Sequence, residues 1–532
     1  MESFDKLGEI YDRSGPFGDA EASNVDFRKL RNSFINLNSF QNQTIEETLD
    51  TSTRVIVGRK GSGKTLYLRF IQDHYRRLNS ENDNTVYITD IDNKPTDSEL
   101  ITKINSWFDK DDSKADETWR GIWKMVILRT AYTHLFYSKT LDKYITKKEK
   151  LEFSSKYSKI LPKINSPTSI FNQLTNILTR FNSLQDLNFF MFADEWGHFE
   201  YDMNLLIKSA PPIYFFIDQL DDDFSHAPYD WLKCQYGLFS AMFRFIRGNT
   251  LGGRLHIIAC IRELVYAYIL STQHGSKYLS EPKIKVIRWD YNLAKHFFDR
   301  KVESLDDSFF KNPRNGKTIQ NFFGLSELKL SRGKGFNEEI HSYILRHTML
   351  MPRDIINVGN IFNEKCNNSL GFIENENALK DAVKYVARQI AKEQTVIASI
   401  LISTSWIYNG VVEDGALSVY TDEVMVNSIN ANLCKMIRYI GEDRFSGRKF
   451  SNINKSLSKF GFKESDRPFN ALFIAGLLGY IELDSNKNER AVFFSESRNA
   501  LFEIPKHRKS YVFHSSLIDY LNIKAKGKPV YA

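Results

Sequence analysis

Short apolar runs alternate along the first 290 residues with longer stretches whose apolar positions recur every three or four residues. The runs are Val55-Ile56-Val57, Val86-Tyr87-Ile88 within Thr85 to Thr89, Ile213 to Ile217, and Leu255 to Ile261 broken only by His256; Ile284 to Arg288, interrupted by Lys285, reads as a short last strand. Runs without polar alternation predict strands covered on both faces, as in a parallel sheet. The helical spacing falls at 66–71, 97–109, 117–137 and 228–247. Strands alternating with helices predict an α/β fold, with any ligand at the carboxyl ends of the strands. Trp119 and Trp123 lie on one predicted helix at core spacing, so they read as packing rather than as a stacking platform.

Between 141 and 210 the pattern weakens. The charged run at 147–150 reads as surface, and Phe189 to Phe192 fits either a strand or a buried helix segment. This stretch reads as an insertion. Beyond 290, helices are predicted at 292–304, 338–349 and from Pro352, with loops at 309–335. Further helices are predicted at 376–392, 395–408, 421–440 and 469–478. A hairpin follows, with arms at 480–483 and 491–494. The organisation expected is an N-terminal arm (1–48), an α/β domain (49–290), a helical lid (291–370) and a mostly helical C-terminal domain (371–532).

Composition changes this picture little. Of 532 residues, 42% are hydrophobic and 26% charged, the balance of a soluble globular chain. Cys234, Cys260, Cys366 and Cys434 are too dispersed for a zinc site, and they suit a reducing compartment. The N-terminus lacks a signal-peptide pattern and no run has membrane-spanning length, so a cytoplasmic location without membrane contact is expected. Net charge is +7, and residues 501–532 hold +4 of it. A basic end reads as a solvated tail or as a contact for DNA.

The candidate chemistry begins at Gly58-Arg59-Lys60-Gly61-Ser62-Gly63-Lys64-Thr65, which fits G-x-x-x-x-G-K-[ST]. The glycines let backbone N–H groups turn inward onto phosphate. Lys64 reaches the outer phosphates and Thr65 offers a hydroxyl to Mg²⁺. A predicted strand precedes the loop and a helix follows, which is the setting the chemistry requires. The expected cofactors are therefore ATP and Mg²⁺.

Such a loop needs an acid on a neighbouring strand to hold the metal. Asp218, directly after Ile213 to Ile217, supplies it. Gln219 stands where a glutamate base is common, and glutamine is a poor proton acceptor. Asp221 and Asp222 either act as base or, with Asp223, open a loop and cap a helix. Arg262 ends a buried run and either reads the terminal phosphate or pairs with a nearby carboxylate. Arg353, at the start of the helix behind Pro352, opposes the helix dipole unless an anion compensates. Phosphate is one such anion and Asp354 another.

Taken together, the loop, Phe-Phe-Ile-Asp-Gln-Leu-Asp-Asp at 215–222, the run ending Cys260-Ile261-Arg262, and Met351-Pro352-Arg353-Asp354 resemble bacterial P-loop ATPases related to the STAND and AAA+ groups. Phe17 to Glu21 and Tyr511 to His514 resemble one ATPase family of that kind. The resemblance implies a P-loop NTPase parallel sheet, a helical lid and a winged-helix-like C-terminal domain. It places Arg262 and Arg353 as sensor arginines. It further implies a slow nucleotide-gated switch that controls homo-oligomer assembly or contact with a protein effector, with anti-phage defence as a setting. Two other readings stand beside it: a DNA-binding, initiator- or loader-like ATPase, and a non-catalytic scaffold with structural nucleotide. The uncharged helix at 469–478 argues against sequence-specific DNA reading, which needs basic residues on one helix.

Overall fold

The computed structural model describes residues 15–20, 50–81, 86–92, 98–108, 112–161, 165–218, 228–248, 251–271, 275–310, 313–330, 336–367, 372–408, 423–484, 487–494, 503–526 and 529–530. Asp221, Asp222, Asp223 and Gln219 lie outside the described residues.

Five strands form one all-parallel sheet: β1 (Val55–Gly58), β2 (Tyr87–Asp92), β3 (Ile213–Ile217), β4 (Leu255–Arg262) and β5 (Ile284–Val286). Their order is β2-β3-β4-β1-β5. The chain is thus α/β, as the alternation predicted. One expectation is corrected: the strand that ends at Asp218 is not a neighbour of β1, because β4 lies between them.

The sheet's pleat divides the core. Ile56, Tyr214, Phe216, Ile258 and Cys260 face one side. There they pack with Leu68 and Ile71 of α1 (Lys64–Glu81) and with the chain beyond residue 290. Val55, Val57, Phe215, Ile217, Ile257, Ala259 and Ile261 face the other. Period-two alternation explains how a continuous apolar run serves two separate cores. The second side is covered by α2 (Ser98–Asn105), α3 (Asp112–Tyr137) and α8 (Pro228–Gly248). Trp119 and Trp123 are fully buried in α3, and Trp123 Nε1 donates to Cys234 O at 2.7 Å. They are core residues, as expected.

Among the described residues of 141–210 are the α-helices α4 (Lys147–Lys156), α5 (Ile170–Arg180), α6 (Leu184–Met191) and α7 (Asp194–Ser209). The Phe189 to Phe192 run closes α6 and is not a strand. Leu187 is its buried anchor, while Phe189 and Phe192 are 81% and 76% exposed. Among the described residues no helix is long and apolar enough to cross a membrane.

The helix α9 (Glu263–Ser271) joins β4 to β5, and past the sheet come α10 (Tyr291–Glu303), α11 (Ile319–Phe323), the hairpin β6 (Glu327–Leu330) and β7 (Phe336–Glu339), α12 (Ile340–His347) and α13 (Pro352–Asn367). The stretch expected as loops at 309–335 therefore holds a short helix and a strand. Asn360 of α13 receives Phe17 N–H through Oδ1 at 2.8 Å, and its Nδ2 donates to Gly18 O at 2.9 Å. The two helices predicted at 376–392 and 395–408 are one, α14 (Phe372–Tyr408). Lys392-Glu393-Gln394-Thr395 contains neither Gly nor Pro to break it. The remainder is α15 (Glu423–Ile440), α16 (Gly447–Asn454), α17 (Pro468–Ile474), α18 (Ser516–Leu521) and an antiparallel sheet. Its strands are β8 (Arg444–Ser446), β9 (Leu478–Leu483), β10 (Glu489–Val492) and β11 (Ser510–Phe513), in the order β10-β9-β11-β8.

Candidate functional site

The eight-residue loop joins the end of β1 to the start of α1. Gly61 and Gly63 have φ of +80° and +95°, which other residues adopt only with strain. Trp289 Nε1 donates to Ser62 O at 3.0 Å and pins the loop from below. The Ser62 hydroxyl is buried and has no hydrogen-bond partner among the described residues. Lys64 Nζ donates to Gly58 O and Arg59 O, each at 3.0 Å, so its ammonium lies across the loop mouth. Burial draws the Lys64 amine down to about 8. Cys260 and Asp218 oppose that shift, and Arg262 and Arg353 add to it. The charges of Asp218, Arg262 and Arg353 thus all act on Lys64, although they come from three different parts of the chain.

Sheet register explains why. Gly58 pairs with Arg262, so the guanidinium-bearing residue stands beside the first residue of the loop. Ile217 pairs with Ala259, which sets Asp218 level with Cys260. Asp218 is buried, and its N–H donates to Asp92 O at 2.9 Å. The Cys260 thiol is pushed well up by burial, with Asp218 reinforcing the shift, so it stays protonated beside the carboxylate.

Arg353 arrives from the other side. Leu350 has φ +59°, a rare conformation for a bulky side chain and one that clusters at functional sites. The kink turns the chain into Pro352 and α13. Asp354 Oδ2 accepts Met349 N–H at 3.1 Å across the same kink. A Cβ at Gly61 would lie 3.0 Å from Arg353 Cβ, so the arginine lies directly against the loop. Arg353 Nη2 is 3.4 Å from Glu393 Oε2, and Lys60 Nζ is 3.1 Å from Glu393 Oε1. Burial lowers Arg262 to about 10, while the Glu393 charge supports it and Arg353 opposes it. Glu393 is therefore the anion that Arg353 required. No signal in the sequence marked it, since it sits mid-helix on α14, forty residues from its partner.

Arg59 lines the same cleft but is held by other partners. It pairs with Glu263 at 2.7 Å and donates to Ile474 O at 3.4 Å, and Gly476 leaves room for it, since a Cβ there would meet Nη1 at 2.6 Å. Glu263, the carboxylate next to Arg262 in the chain, is thus held by Arg59. The cleft is lined by Arg59, Lys60, Arg262, Arg353 and Glu393, with Phe494 from just beyond β10. Among the described residues no group of three His, Cys, Asp or Glu side chains forms a metal site by itself.

No family model matches this chain, and no curated protein matches it in sequence. Function therefore has to be argued from the cleft itself.

The C-terminal part is fastened near the cleft by His514. Its Nδ1 accepts Ser516 N–H at 3.2 Å, which leaves Nε2 to donate to Thr348 O at 3.1 Å. Burial lowers this imidazole to about 4. A neutral ring in the fold and an ordinary one near 6.5 in the unfolded chain give stability that is full above 6.5. That stability is lost as pH falls toward 4, up to about 3 kcal/mol. Asp354, raised to about 6 by burial, takes up its proton in the folded state and offsets part of this loss. Urea midpoints should thus drop from pH 7.5 to pH 5 by more in the wild type than in His514→Gln. Equal drops would show that His514 does not carry the dependence.

Proposed function

We propose that the chain is a Mg-ATP-binding, slowly hydrolysing P-loop ATPase that acts as a nucleotide-gated switch over assembly or partner contact. One observation carries the reading: Lys64, Asp218, Arg262 and Arg353 converge on a glycine loop at the carboxyl ends of parallel strands. Each has a use there. Loop N–H groups and Lys64 hold phosphate, and Thr65, second in α1, offers its hydroxyl toward the metal. Asp218 holds Mg²⁺ through its water shell. Arg262 and Arg353 neutralise charge on the terminal phosphate. The donor set fits the cofactor, since Mg²⁺ needs few protein ligands and keeps waters and phosphate oxygens. Bound Mg²⁺ would supply charge neutralisation at the phosphates.

The switch reading rests on the contacts that leave the cleft. Glu393 belongs to the 37-residue helix α14, and Arg59 reaches Ile474 at the end of α17. A change in phosphate occupancy at Lys60, Arg353 or Arg59 bears directly on the C-terminal part. The DNA-binding alternative gains no support from α17, which has no charged residue and buries Phe469, Ala471, Leu472 and Phe473.

Asp218→Asn should retain ATP binding within about tenfold yet lose Mg²⁺-dependent phosphate release by roughly 100-fold. Phosphate release at the wild-type rate in this variant would remove Asp218 from the metal site.

A further inference from the structure

The cleft holds an anion of its own exactly where the proposed nucleotide would need cations. Glu393 sits between Lys60 of the loop and Arg353 of α13, at 3.1 and 3.4 Å. Both cations are partly exposed at the cleft, with side chains 52% and 22% accessible, and Glu393 is 35% accessible. These are therefore exchangeable contacts and not a sealed ion pair. Arg353 also lies against Gly61, so its guanidinium is beside the loop that would take the phosphates. The Glu393 charge is felt by Arg262 as well, which joins three cations to one carboxylate.

We propose that Glu393 sets the site's preference between nucleoside diphosphate and triphosphate by competing with the terminal phosphate for Lys60 and Arg353. The inference rests on the nucleotide reading above. Its logic is electrostatic. The inner phosphates are held chiefly by the loop N–H groups. Lys64, which reaches the outer phosphates, donates to Gly58 O and Arg59 O and is not tied up by Glu393. The terminal phosphate is the group that calls on the arginines. A carboxylate already paired with them disfavours that phosphate through like-charge proximity and through the cost of releasing its partners. A diphosphate meets this opposition only weakly. Glu393 thus biases the protein toward the diphosphate and makes capture of the triphosphate conditional on moving the carboxylate.

The test is equilibrium binding of ADP and of a non-hydrolysable ATP analogue, adenylyl imidodiphosphate with Mg²⁺, to the full chain and to Glu393→Gln. The variant should bind the analogue roughly three- to tenfold more tightly, with ADP affinity changed by less than about twofold. Glu393→Asp, whose shorter side chain withdraws from both cations, should move the same way by less, and it serves if the glutamine variant fails to fold. An unchanged preference, or weaker analogue binding, would overturn the proposal. The latter result would make Glu393 a residue that positions Arg353 for phosphate. Wild-type protein that binds neither nucleotide would overturn the proposed function itself, and this inference with it.

Discussion

Lys64→Met should lose ATP affinity by at least about 100-fold, near 2.7 kcal/mol, while leaving the free protein as stable as the wild type or more so. The two halves of this result have one cause. The ammonium is carried into the loop, where burial lowers it to about 8 and Arg262 and Arg353 press in the same direction. Holding a charge there costs the free protein stability, and a methionine of similar length relieves the cost. Bound phosphate would remove the same cost by supplying the counter-charge, so on the proposed function binding should depend on the charge that the free fold carries at a loss. The pH dependence follows with a definite sign. In the wild type, ATP affinity should be level below pH 8 and fall as pH rises through 8, because the free protein then presents a neutral amine. The stability cost is present below pH 8 and is relieved between 8 and 10.5, where the unfolded chain binds the extra proton. Titration calorimetry across pH 7 to 9, beside thermal melts of both proteins, checks each half. A variant that binds ATP like the wild type would remove the loop from nucleotide binding. A variant that is strongly destabilised would contradict the electrostatic account.

Glu338→Ala should destabilise the protein by about 3–5 kcal/mol, the range for breaking a buried ion pair from one side. Glu338 of β7 and Arg346 of α12 form a two-pronged pair at 2.7 and 3.0 Å, with side chains only 1% and 5% exposed. Arg346 also donates to Ser515 Oγ at 3.1 Å and contacts His347 Nε2 at 3.1 Å. Removing the carboxylate leaves a buried guanidinium whose remaining contacts include Ser515 Oγ, His347 Nε2 and the Tyr343 ring, none of them a carboxylate. The effect should reach the cleft. Arg346 and His347 end α12, Thr348 follows and receives His514, and then come Leu350 in its left-handed conformation and Arg353. Loosening this chain frees Arg353 from the loop, so ATP affinity should fall as well. Denaturant titration measures the first effect. The double variant Glu338→Leu with Arg346→Met should recover most of the stability, because well-packed apolar side chains replace buried ion pairs at little cost. A loss under about 1 kcal/mol for Glu338→Ala would show that the pair is not buried in solution.

What the sequence disclosed depended on how local each signal was. The glycine loop was legible because its chemistry is contiguous, eight residues between a strand and a helix. The parallel sheet was legible because β1, β3 and β4 are apolar on both faces, which only a covered sheet tolerates. Strand order was not legible, and the insertion of β4 between β1 and β3 overturned the expected adjacency of Asp218's strand and the loop's. Register then brought Arg262 to Gly58, a pairing across two hundred residues that no periodicity encodes. Glu393 was missed for the same reason. On a long polar-faced helix it is one acid among many, and only the approach of α14 to the loop separates it from a solvated surface charge. The α6 segment was ambiguous because four apolar residues have no period, and of its three phenylalanines Phe189 and Phe192 prove to be exposed while Phe190 packs against the core. The Glu338–Arg346 pair was likewise beyond reach, since its members gain meaning only once buried together.

The central claim is nucleotide binding that ends in slow turnover, and one experiment addresses it most directly. Wild-type protein is incubated with Mg-ATP, and bound nucleotide and released phosphate are followed on the same sample. Saturable binding of ATP, with phosphate released more slowly than about 1 per second per chain, a rate below that of ordinary enzymes, is the predicted result. Absence of saturable binding at millimolar ATP would contradict it.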